Sequence, residues 1–439
     1  MALDPEEYKQ RRAKHEQARN ARLRRTRIKL AVAAAVLIAV GILIFIAVQR
    51  KPEDPPGQTD PALQTTQASG AEDHTDEATQ QTTAAPTETT ASGKVKPDTV
   101  IRIAAAGDLN INDAVVAAGG SGLDYSDAFM DIAHLLGDAD ITALNFEGVL
   151  AGPPYGSSGS APSDLLDALV DAGVDLLQLA NSYSIHKGMA GLTSTLSAVR
   201  ASGLEPLGAY ASNDEFRASK GYTIRNIKGV KVAFIAFTKG MNGMALPAGN
   251  ENCVNVLYTD YATTYQDVDS EKILSIVNAA KKESPDLIVT MLHWGSEFND
   301  TISSSQNTIL ELLQENGVDV ILGTHSHYVQ QMVYDREAGT FVTYSLGDFF
   351  SDTQRNGTEY SVILELEITK SGETGETKVT GYHYTPIFNI AEEGKPMRLV
   401  RLREAMTAYE QGYLGAVSDE IYADMKYALD RIEVRVAGS

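Results

Sequence analysis

Polar and ionisable side chains follow five apolar segments of the sequence, each at the point where a strand is predicted to end. They are Gly107-Asp108 after VIRIAAA, Asn145-Phe146-Glu147 after DITAL, Asn181-Ser182-Tyr183 after DLLQLA, His293-Trp294-Gly295 after DLIVTML, and Gly323-Thr324-His325-Ser326-His327 after VDVIL. Active sites of α/β sheets gather beyond the carboxyl ends of the strands. We therefore expect these side chains to converge on one site.

Carboxylate oxygens and imidazole nitrogens together form a ligand set that Zn, Mn or Fe accepts. A bridging carboxylate can hold two such ions ~3.5–4 Å apart, an arrangement that hydrolyses phosphate esters. Taken singly, a strand-ending aspartate can also be a helix cap, and His293 can be a packed core histidine. Five such groups in register favour a site for one or two divalent ions.

The elements that must position these groups are predicted by apolar segments that alternate with helical patterns from Thr99 onward. This alternation predicts βαβ units and a sheet buried on both faces. The stretch YTIRNIKGVKVAFIAFT predicts a hairpin with a Lys-Gly turn. We expect one α/β domain over residues 98–390, followed over residues 391–439 by a helical appendage without a chemical signal.

The amino-terminal part of the chain has a different organisation. Residues 1–29 form a basic tail with ten Lys and Arg residues, and residues 30–49 are apolar and uncharged. About 20 such residues suffice to cross a bilayer as a helix. A cleaved signal peptide is the alternative, but the apolar stretch is long and no small-x-small site follows it. The flanking basic residues place the tail in the cytoplasm and the rest of the chain outside.

Composition limits the remaining possibilities. Residues 50–97 are rich in Thr, Gln, Pro and Ala without apolar periodicity, which predicts a disordered spacer. The formal net charge is −21, to which the basic tail contributes +6, so the remainder stands at −27 and offers no nucleic-acid surface. Cys253 is the only cysteine, which excludes an intrachain disulfide.

Six segments resemble the signature blocks of the CapA family of poly-γ-glutamate capsule synthesis proteins, in order and in spacing. They are GDLNIND, NFEGVL, ANSYSIHKG, HWGSEF, GTHSHYVQ and YSLGDFF, and Gln306 also stands where the family keeps a glutamine. The CapA fold is similar to that of calcineurin-like metallophosphoesterases, so the resemblance implies a sandwich of mixed β-sheets flanked by helices. It implies as metal ligands Asp108, Glu147, His293, His325 and His327.

The third block departs from the family pattern. Ser182 replaces the asparagine expected as a bridging ligand, Tyr183 replaces a histidine expected as an acid, and His186 replaces an aspartate. A hydroxyl is a poorer ligand than an amide oxygen, and tyrosine, with an unperturbed pKa of about 10, is a poor general acid at neutral pH. Tyr183 and His186 remain the candidate catalytic residues, although His186 can equally be an ordinary loop histidine.

Four further residues are candidates for binding. Asn145 and Asn181 belong to the strand-end groups, and Asp348 replaces a family asparagine, so that it is either a ligand or an added negative charge. Trp294, the only tryptophan, either walls the pocket or packs in the core.

The preferred interpretation is a membrane-anchored extracytoplasmic protein that takes part in synthesis or export of capsular poly-γ-glutamate, with weak or no hydrolase activity. The alternative is a metal-dependent phosphoesterase acting outside the membrane. A purely structural module is the third possibility. We expect the chain to cross the membrane once and to act with other polymer synthesis subunits. The expected ligand is an anionic polymer or a phosphate ester, and nucleic acid is not expected. We expect the carboxyl-terminal domain to be extracellular.

Overall fold

The computed structural model describes residues 96–353, 355–392, 394–413 and 417–438. The predicted basic tail and membrane span lie outside these ranges, as does the spacer up to residue 95, and all three stay predictions. Within the described ranges, no helix combines the length and the apolar composition that a membrane crossing needs.

The described residues form two β-sheets with helices between the strands. The strands are β1 (Thr99–Asn110), β2 (Ile141–Glu147), β3 (Leu176–Gln178), β4 (Glu205–Leu207), β5 (Tyr222–Ile227), β6 (Val230–Thr238), β7 (Leu287–His293), β8 (Val320–Thr324), β9 (Met332–Asp335), β10 (Thr340–Thr343), β11 (Asp348–Phe350), β12 (Tyr360–Lys370), β13 (Thr377–Ile390) and β14 (Arg398–Arg401). The helices are α1 (Asp113–Ala118), α2 (Ser126–Phe129), α3 (Ala133–Gly137), α4 (Asp164–Ala172), α5 (Gly188–Ser202), α6 (Asn213–Ser219), α7 (Ser270–Lys281), α8 (Ser304–Glu315), α9 (Leu402–Glu410) and α10 (Asp419–Ala437).

Both sheets are mixed. The first has eight strands in the order β14-β13-β12-β1-β2-β3-β4, with β11 pairing to the end of β1. Strands β1 to β4 are parallel, whereas β12, β13 and β14 pair antiparallel. The second has six strands in the order β5-β6-β7-β8-β10-β9, of which β6, β7, β8 and β10 are parallel. The predicted α/β class is confirmed.

The core strands of the second sheet are continuously apolar in sequence because hydrophobic clusters cover both of their faces. Along β6, Val232 and Phe234 belong to a large hydrophobic cluster that also contains the strands of the first sheet. Their neighbours Ala233 and Ile235 belong to a second cluster, shared with α7 and α8. Successive side chains of a strand point to opposite faces, so both faces of this sheet are buried.

Local sequence signals set the turns and helix ends. The Lys228-Gly229 turn joins β5 to β6 with both residues at positive φ, as a tight hairpin of this type requires. Helices α6, α7, α8 and α10 each begin after a Ser or Asp whose side chain accepts a hydrogen bond from a first-turn backbone N–H. At α8 this is a capping box of Ser303 and Gln306, so Gln306 is a helix-capping residue.

An aspartate precedes four of the parallel strands and closes the amino-terminal edge of both sheets. In each case the carboxylate accepts a hydrogen bond from a backbone N–H of the neighbouring strand, and the aspartate N–H donates to the carbonyl of the same residue. The pairs are Asp140 with Arg102, Asp175 with Thr142, Asp286 with Lys231 and Asp319 with Ile288, at carboxylate distances of 2.8–3.0 Å. The aspartates thus supply the backbone groups of the strand ends with partners.

The predicted carboxyl-terminal appendage is only partly helical. Residues 398–401 form β14, which extends the first sheet, and Met425 and Ile432 of α10 lie in the same hydrophobic cluster as β1. The four-residue strand is too short to show a period in the sequence, and it is an edge strand of the first sheet. This segment is therefore integral to the fold of the described residues.

Candidate metal centre

Five buried side chains from four strand ends meet at the carboxyl edge of the two sheets. They are Asp108 on β1, Glu147 at the end of β2, His293 at the end of β7, and His325 and His327 after β8. The register explains the meeting, since Asp108 lies opposite Asn145 on β2 and His293 lies opposite Thr324 on β8. The structure brings together all five ligands that the CapA resemblance implies.

The ligand atoms form two groups that share Glu147. In the first group, Glu147, His293 and His325 each offer an atom within 4.8 Å of the others; in the second, Asp108, Glu147 and His327 do the same. Such sharing is what two neighbouring ions held by one carboxylate require. The buried groups are therefore compatible with metal binding.

His293 Nε2 is at the centre of the first group. It lies 3.0 Å from His325 Nδ1, 3.0 Å from Ser182 Oγ and 3.2 Å from Glu147 Oε1. In the tautomer that leaves the Nε2 lone pair facing these atoms, Nδ1 donates to Thr324 Oγ1 at 3.2 Å. A hydrogen bond on the far nitrogen is the usual way in which a metal-binding imidazole is oriented.

The second group is held by hydrogen bonds around Asp108. Asn145 Nδ2 donates to Asp108 Oδ1 at 2.6 Å, and the backbone N–H of His325 donates to Asp108 Oδ2 at 2.9 Å. His327 Nδ1 lies 2.7 Å from Asp348 Oδ1. Asp348 therefore orients a ligand and adds a third buried carboxylate to the site.

The two asparagines predicted to bind a ligand are hydrogen-bonded to each other and to residues around the centre. Asn181 Nδ2 donates to Asn145 Oδ1 at 3.0 Å and to the Phe146 carbonyl at 2.7 Å, and its Oδ1 accepts from the Tyr183 N–H at 3.0 Å. Both asparagines are buried. Their contacts join the end of β2 to the third block, which follows β3.

Burial is the main influence on the pKa values of the three carboxyl groups at the centre. Desolvation, followed by the charge of Glu147, raises the pKa of Asp108. Desolvation also raises the pKa of Glu147 to about 7 and that of Asp348 to about 7, in both cases against the opposing charge of His327. Three buried acids with raised pKa values mark a site in which the charge of His327 does not offset the burial of the carboxyl groups.

The histidines divide into two kinds. Burial lowers the pKa of His293 to about 4, and burial together with the charge of His293 lowers the pKa of His325 well below its usual value. Both imidazoles are thus neutral, the form that binds metals. Burial also acts to lower the pKa of His327, but the charge and the hydrogen bond of Asp348 raise it well above the usual value.

Two buried carboxylate oxygens test whether a cation fits this site. Glu147 Oε2 and Asp348 Oδ2 have no hydrogen-bond partner among the described residues, although both are fully shielded from solvent. An unpartnered buried anionic oxygen is costly unless a cation coordinates it. The residues present therefore fit one or two divalent ions.

The residues of the altered third block take different positions. Ser182 is buried and directs its hydroxyl at His293. Tyr183 is partly buried, and burial followed by the charges of Glu147 and Glu297 raises its pKa. His186 Nε2 lies 3.0 Å from the Ser158 carbonyl, and its ring lies 5.1 Å from that of Tyr183. In this position His186 contacts a loop and not the ligand cluster.

Trp294 is fully buried in the cluster between the second sheet and its helices. Its Nε1–H donates to the Tyr344 carbonyl at 2.9 Å, and its ring stacks on Tyr344. The indole therefore packs in the core, and the tryptophan does not line the cleft beside the centre.

The backbone around the centre is locally strained. His325 and His327 have φ values of +90° and +60°, and Asn242, Tyr265 and Phe298 nearby also have positive φ. Side chains other than glycine rarely adopt this region, and such residues cluster at binding and catalytic sites. The positive φ values at His325 and His327, two residues apart, accompany the placement of both imidazoles in the ligand cluster.

A cleft of about 250 Å³ opens beside the centre. It is lined by Ser182, Lys239, Gly240, Asn242, Tyr265, Ser296, Glu297 and His325. Lys239 and Glu297 are not among the predicted site residues. Lys239 directly follows β6, so the strand-end rule that identified the other groups also applies to it. Glu297 lies in the HWGSEF segment, of which only His293-Trp294-Gly295 belonged to the predicted strand-end group.

The sequence model of the family described as bacterial capsule synthesis protein PGA_cap matches residues 102–353. The chain belongs to this family. The resemblance to CapA proteins is thereby confirmed, and the matched range contains all five residues of the two candidate ligand groups.

Two curated relatives are similar over the same region. The capsule biosynthesis protein CapA of Bacillus anthracis is 25% identical over 290 residues, which cover 63% of this chain and 64% of that protein. The PGA biosynthesis protein CapA of Bacillus subtilis is 29% identical over 214 residues, covering 48% of this chain and 51% of that protein. The chain thus spans about half to two thirds of the length of these relatives.

Solved structures with a similar arrangement include the calcineurin-like phosphoesterase YfkN from Bacillus subtilis. It matches with a TM-score of 0.38 and 15% identity, over 76% of this chain and 100% of that chain. A phosphatase from Mycoplasma pneumoniae matches with a TM-score of 0.38 and 12% identity, over 66% of this chain and 94% of that chain. Similarity at this level carries no argument about activity.

Proposed function

We propose that this PGA_cap family member takes part in the synthesis or export of capsular poly-γ-glutamate as a membrane-anchored accessory protein. The family match and the names of the Bacillus relatives support poly-γ-glutamate as the polymer with which this protein works. The basic tail and the apolar stretch of residues 30–49 support an anchor with the described domain outside the membrane. The centre binds divalent ions and an anionic ligand, with weak or no hydrolysis.

The contact that carries the low-activity proposal is the one between Ser182 Oγ and His293 Nε2, at 3.0 Å. A weak hydroxyl ligand stands at this position of the first ligand group. The next residue, Tyr183, has a pKa raised above its ordinary value of 10.0, so it holds its proton at neutral pH. The candidate ligand groups could therefore hold ions. Tyr183, the residue at the position of the expected acid, is a poor proton donor for a leaving group.

The ions proposed here are Mn, Zn or Fe. Glu147, His293 and His325 would hold one, and Asp108, Glu147 and His327 the other. When bound, they supply positive charge and Lewis-acid polarisation to an anionic ligand. The residues of the chain do the rest: Asn145 fixes the Asp108 carboxylate, Thr324 fixes the His293 ring, and Asp348 fixes His327.

The test combines metal analysis, a phosphodiesterase assay and polymer production with the full-length chain. We expect the detergent-purified protein to contain divalent metal and to hydrolyse a chromogenic phosphodiester no faster than the free metal does. Expression in a capsule-forming strain that lacks its own family member should restore poly-γ-glutamate, and His293→Ala should abolish both the metal content and the restoration. Restoration by the metal-free variant would refute a role for the centre.

A metal-dependent phosphoesterase is the second candidate. The observation that favours it is the shared position of Glu147 between two ligand groups, because paired ions hydrolyse phosphate esters. Rapid phosphodiester turnover by the wild-type chain, lost on chelation and regained with Mn or Zn, would establish this alternative in place of the accessory role.

A further inference from the structure

Lys239 presents a partly free ammonium group to the cleft beside the metal centre. Its Nζ donates one hydrogen bond, of 2.7 Å, to the Gly295 carbonyl and lies 4.6 Å from the centre of the Tyr265 ring. An ammonium group has three donors. No carboxylate of the described ranges lies within 4.0 Å of Lys239, so its charge has no ion-pair partner there.

Glu297 brings the opposite charge to the same cleft. It lies on the exposed loop after β7 and lines the cleft together with Lys239. Lys239 and Glu297 therefore face one space without closing into a direct pair within the described residues. Two opposite charges on either side of a small cleft fit a ligand that carries an ammonium group and a carboxylate on the same carbon.

We propose that this cleft binds the amino-terminal residue of a γ-linked glutamate chain, with Lys239 on its α-carboxylate and Glu297 on its α-ammonium group. This inference rests on the proposed function. In a γ-linked chain every residue keeps a free α-carboxylate, but only the amino-terminal residue also keeps an α-ammonium group on the same carbon. An α-linked chain has no free α-carboxylate at that end.

The size and charge of the cleft favour a chain end over other ligands. Its volume of about 250 Å³ is below the ~300–1,000 Å³ of sites for drug-sized molecules, so one residue fits. Glu297 disfavours a phosphate ester or an internal polymer segment, since both are purely anionic. Ser182 and His325 line the same cleft, so a bound end lies next to the metal centre.

The test measures binding of three tripeptides to the full-length chain by isothermal titration calorimetry. They are γ-linked triglutamate, its N-acetylated form and α-linked triglutamate. We expect the free γ-linked peptide to bind about tenfold or more tightly than either of the others, as expected for the loss of one hydrogen-bonded charge. Equal binding of the three peptides would overturn the inference.

Two variants assign the charges. Lys239→Met should weaken binding of the free γ-linked peptide about tenfold or more, and Glu297→Gln should remove the preference for the free over the acetylated peptide. Lys272→Met is the matched control, because Lys272 is also partly buried and lies over an aromatic ring, that of Phe216, away from this cleft. Unchanged binding in both cleft variants would contradict the assignment.

The outcome also separates this inference from the proposed function. If N-acetylated long poly-γ-glutamate binds as tightly as the free polymer, the accessory role stands and recognition of the chain end is wrong. If no γ-linked ligand binds to the metal-loaded protein and polymer production does not depend on the chain, both are wrong.

Discussion

Glu147 occupies the most demanding position in the centre. It is shared by both ligand groups, one of its oxygens has no hydrogen-bond partner among the described residues, and burial raises its pKa to about 7. In the metal-free chain its ionisation is opposed by desolvation, whereas in the metal-loaded chain the same ionisation provides a ligand. Stability and metal binding are therefore linked through this residue.

Replacing Glu147 with glutamine should separate the two effects. Because the folded-state pKa exceeds the ordinary value of 4.5, the folded metal-free protein binds more protons than the unfolded one between pH 4.5 and about 7. Its stability should fall as the pH rises through this window, and Glu147→Gln should flatten that fall. Metal affinity should drop at least ~10-fold. Thermal unfolding with chelator, and metal titration, measure these effects.

Glu315→Gln, an exposed substitution on α8, is the control for the Glu147 variant. It should change neither the metal affinity nor the pH profile of unfolding. A Glu147→Gln protein that binds Mn or Zn like the wild type would remove Glu147 from the ligand set.

Restoring the third block should raise metal occupancy or turnover. In Ser182→Asn with Tyr183→His, an amide oxygen replaces the hydroxyl beside His293, and an imidazole replaces a phenol whose pKa is raised. A well-placed general acid contributes ~10²- to 10⁴-fold. Turnover of a chromogenic phosphodiester with added Mn or Zn is the measurement, and Ser182→Ala with Tyr183→Phe is the control that supplies neither group.

High activity of the wild-type chain that the restoring pair reduces would contradict this expectation. Tyr183 or His186 would then have the catalytic role. His186 would have to leave the Ser158 carbonyl to reach a ligand at the centre.

The ligand residues were predictable because one rule covers them: parallel strands bring their carboxyl ends to one edge. The hairpin pattern of residues 222–238 hides the fact that β6 also belongs to the parallel part of the second sheet, so the sequence does not predict a site role for Lys239. Glu297 lies inside the HWGSEF segment, but an exposed glutamate in a loop is ordinary, so its position alone predicts no chemistry. Trp294 stood beside His293 in the sequence but points into the core, because successive residues of an extended chain point to opposite sides.

At the level of elements, the aspartates that begin β2, β3, β7 and β8 serve the sheets by bonding backbone groups at their amino-terminal edge. They differ in whether a nearby cation balances the charge of the carboxylate. Asp286 forms an ion pair with Lys370 at 2.7 Å, whereas burial raises the pKa of Asp319 to about 6. Ionised Asp319 therefore makes its backbone bond at a cost in stability.

Asp319→Asn should reveal that cost. The folded protein binds the extra proton between the ordinary pKa of 3.8 and about 6, so the wild type should gain stability relative to the variant as the pH falls from 7 to 4.5. The gain should be on the order of 1–2 kcal/mol, since a pKa unit corresponds to ~1.4 kcal/mol and partial exposure reduces the effect. Urea unfolding at several pH values measures it.

Asp286→Asn is the matched control, because it changes the same edge position of β7. It breaks the ion pair with Lys370 and should lower stability at pH 7. A relative stability of wild type and Asp319→Asn that does not vary with pH would show that burial of Asp319 is without consequence.

Long, periodic elements were predictable and short ones were not. Strands β6, β7 and β8 of the second sheet and helices α4, α5, α7 and α8 follow clear apolar patterns. Strands β9 and β14 have four residues each, too few to establish a period. The pairing of β11 with β1 depends on a contact distant in sequence: Gly107 approaches Gly347 so closely that a Cβ would lie 1.8 Å from the Gly347 carbonyl oxygen.

At the level of the whole described domain, α10 is linked to the loop that covers the centre. Arg435 lies 3.2 Å from Asp300 and stacks over Tyr328, and its side chain is only 10% exposed. The same loop places the Phe298 ring against His327, at 4.9 Å between ring centres. The carboxyl-terminal helix thus positions a loop that contacts a predicted ligand.

Arg435→Ala should loosen this loop. We expect faster hydrogen exchange over residues 296–302 and metal release faster by a few fold, with a stability loss of about 1 kcal/mol. Arg403→Ala is the control, because Arg403 pairs with Glu433 on the same helix while both side chains stay about half exposed. Unaltered exchange in the loop would show that α10 does not hold it.

The position of β1 has a mechanical consequence. β1 is the first strand of the described domain, yet it lies inside the first sheet, between β2 and β12. A chain anchored through its amino terminus, as proposed, would transmit any pull from the cell surface along β1. The load would act in shear on seven residue pairs with β12, from Thr99 to Ala105, before it reached Asp108. Tension would have to break this ladder before it disturbed the ligands.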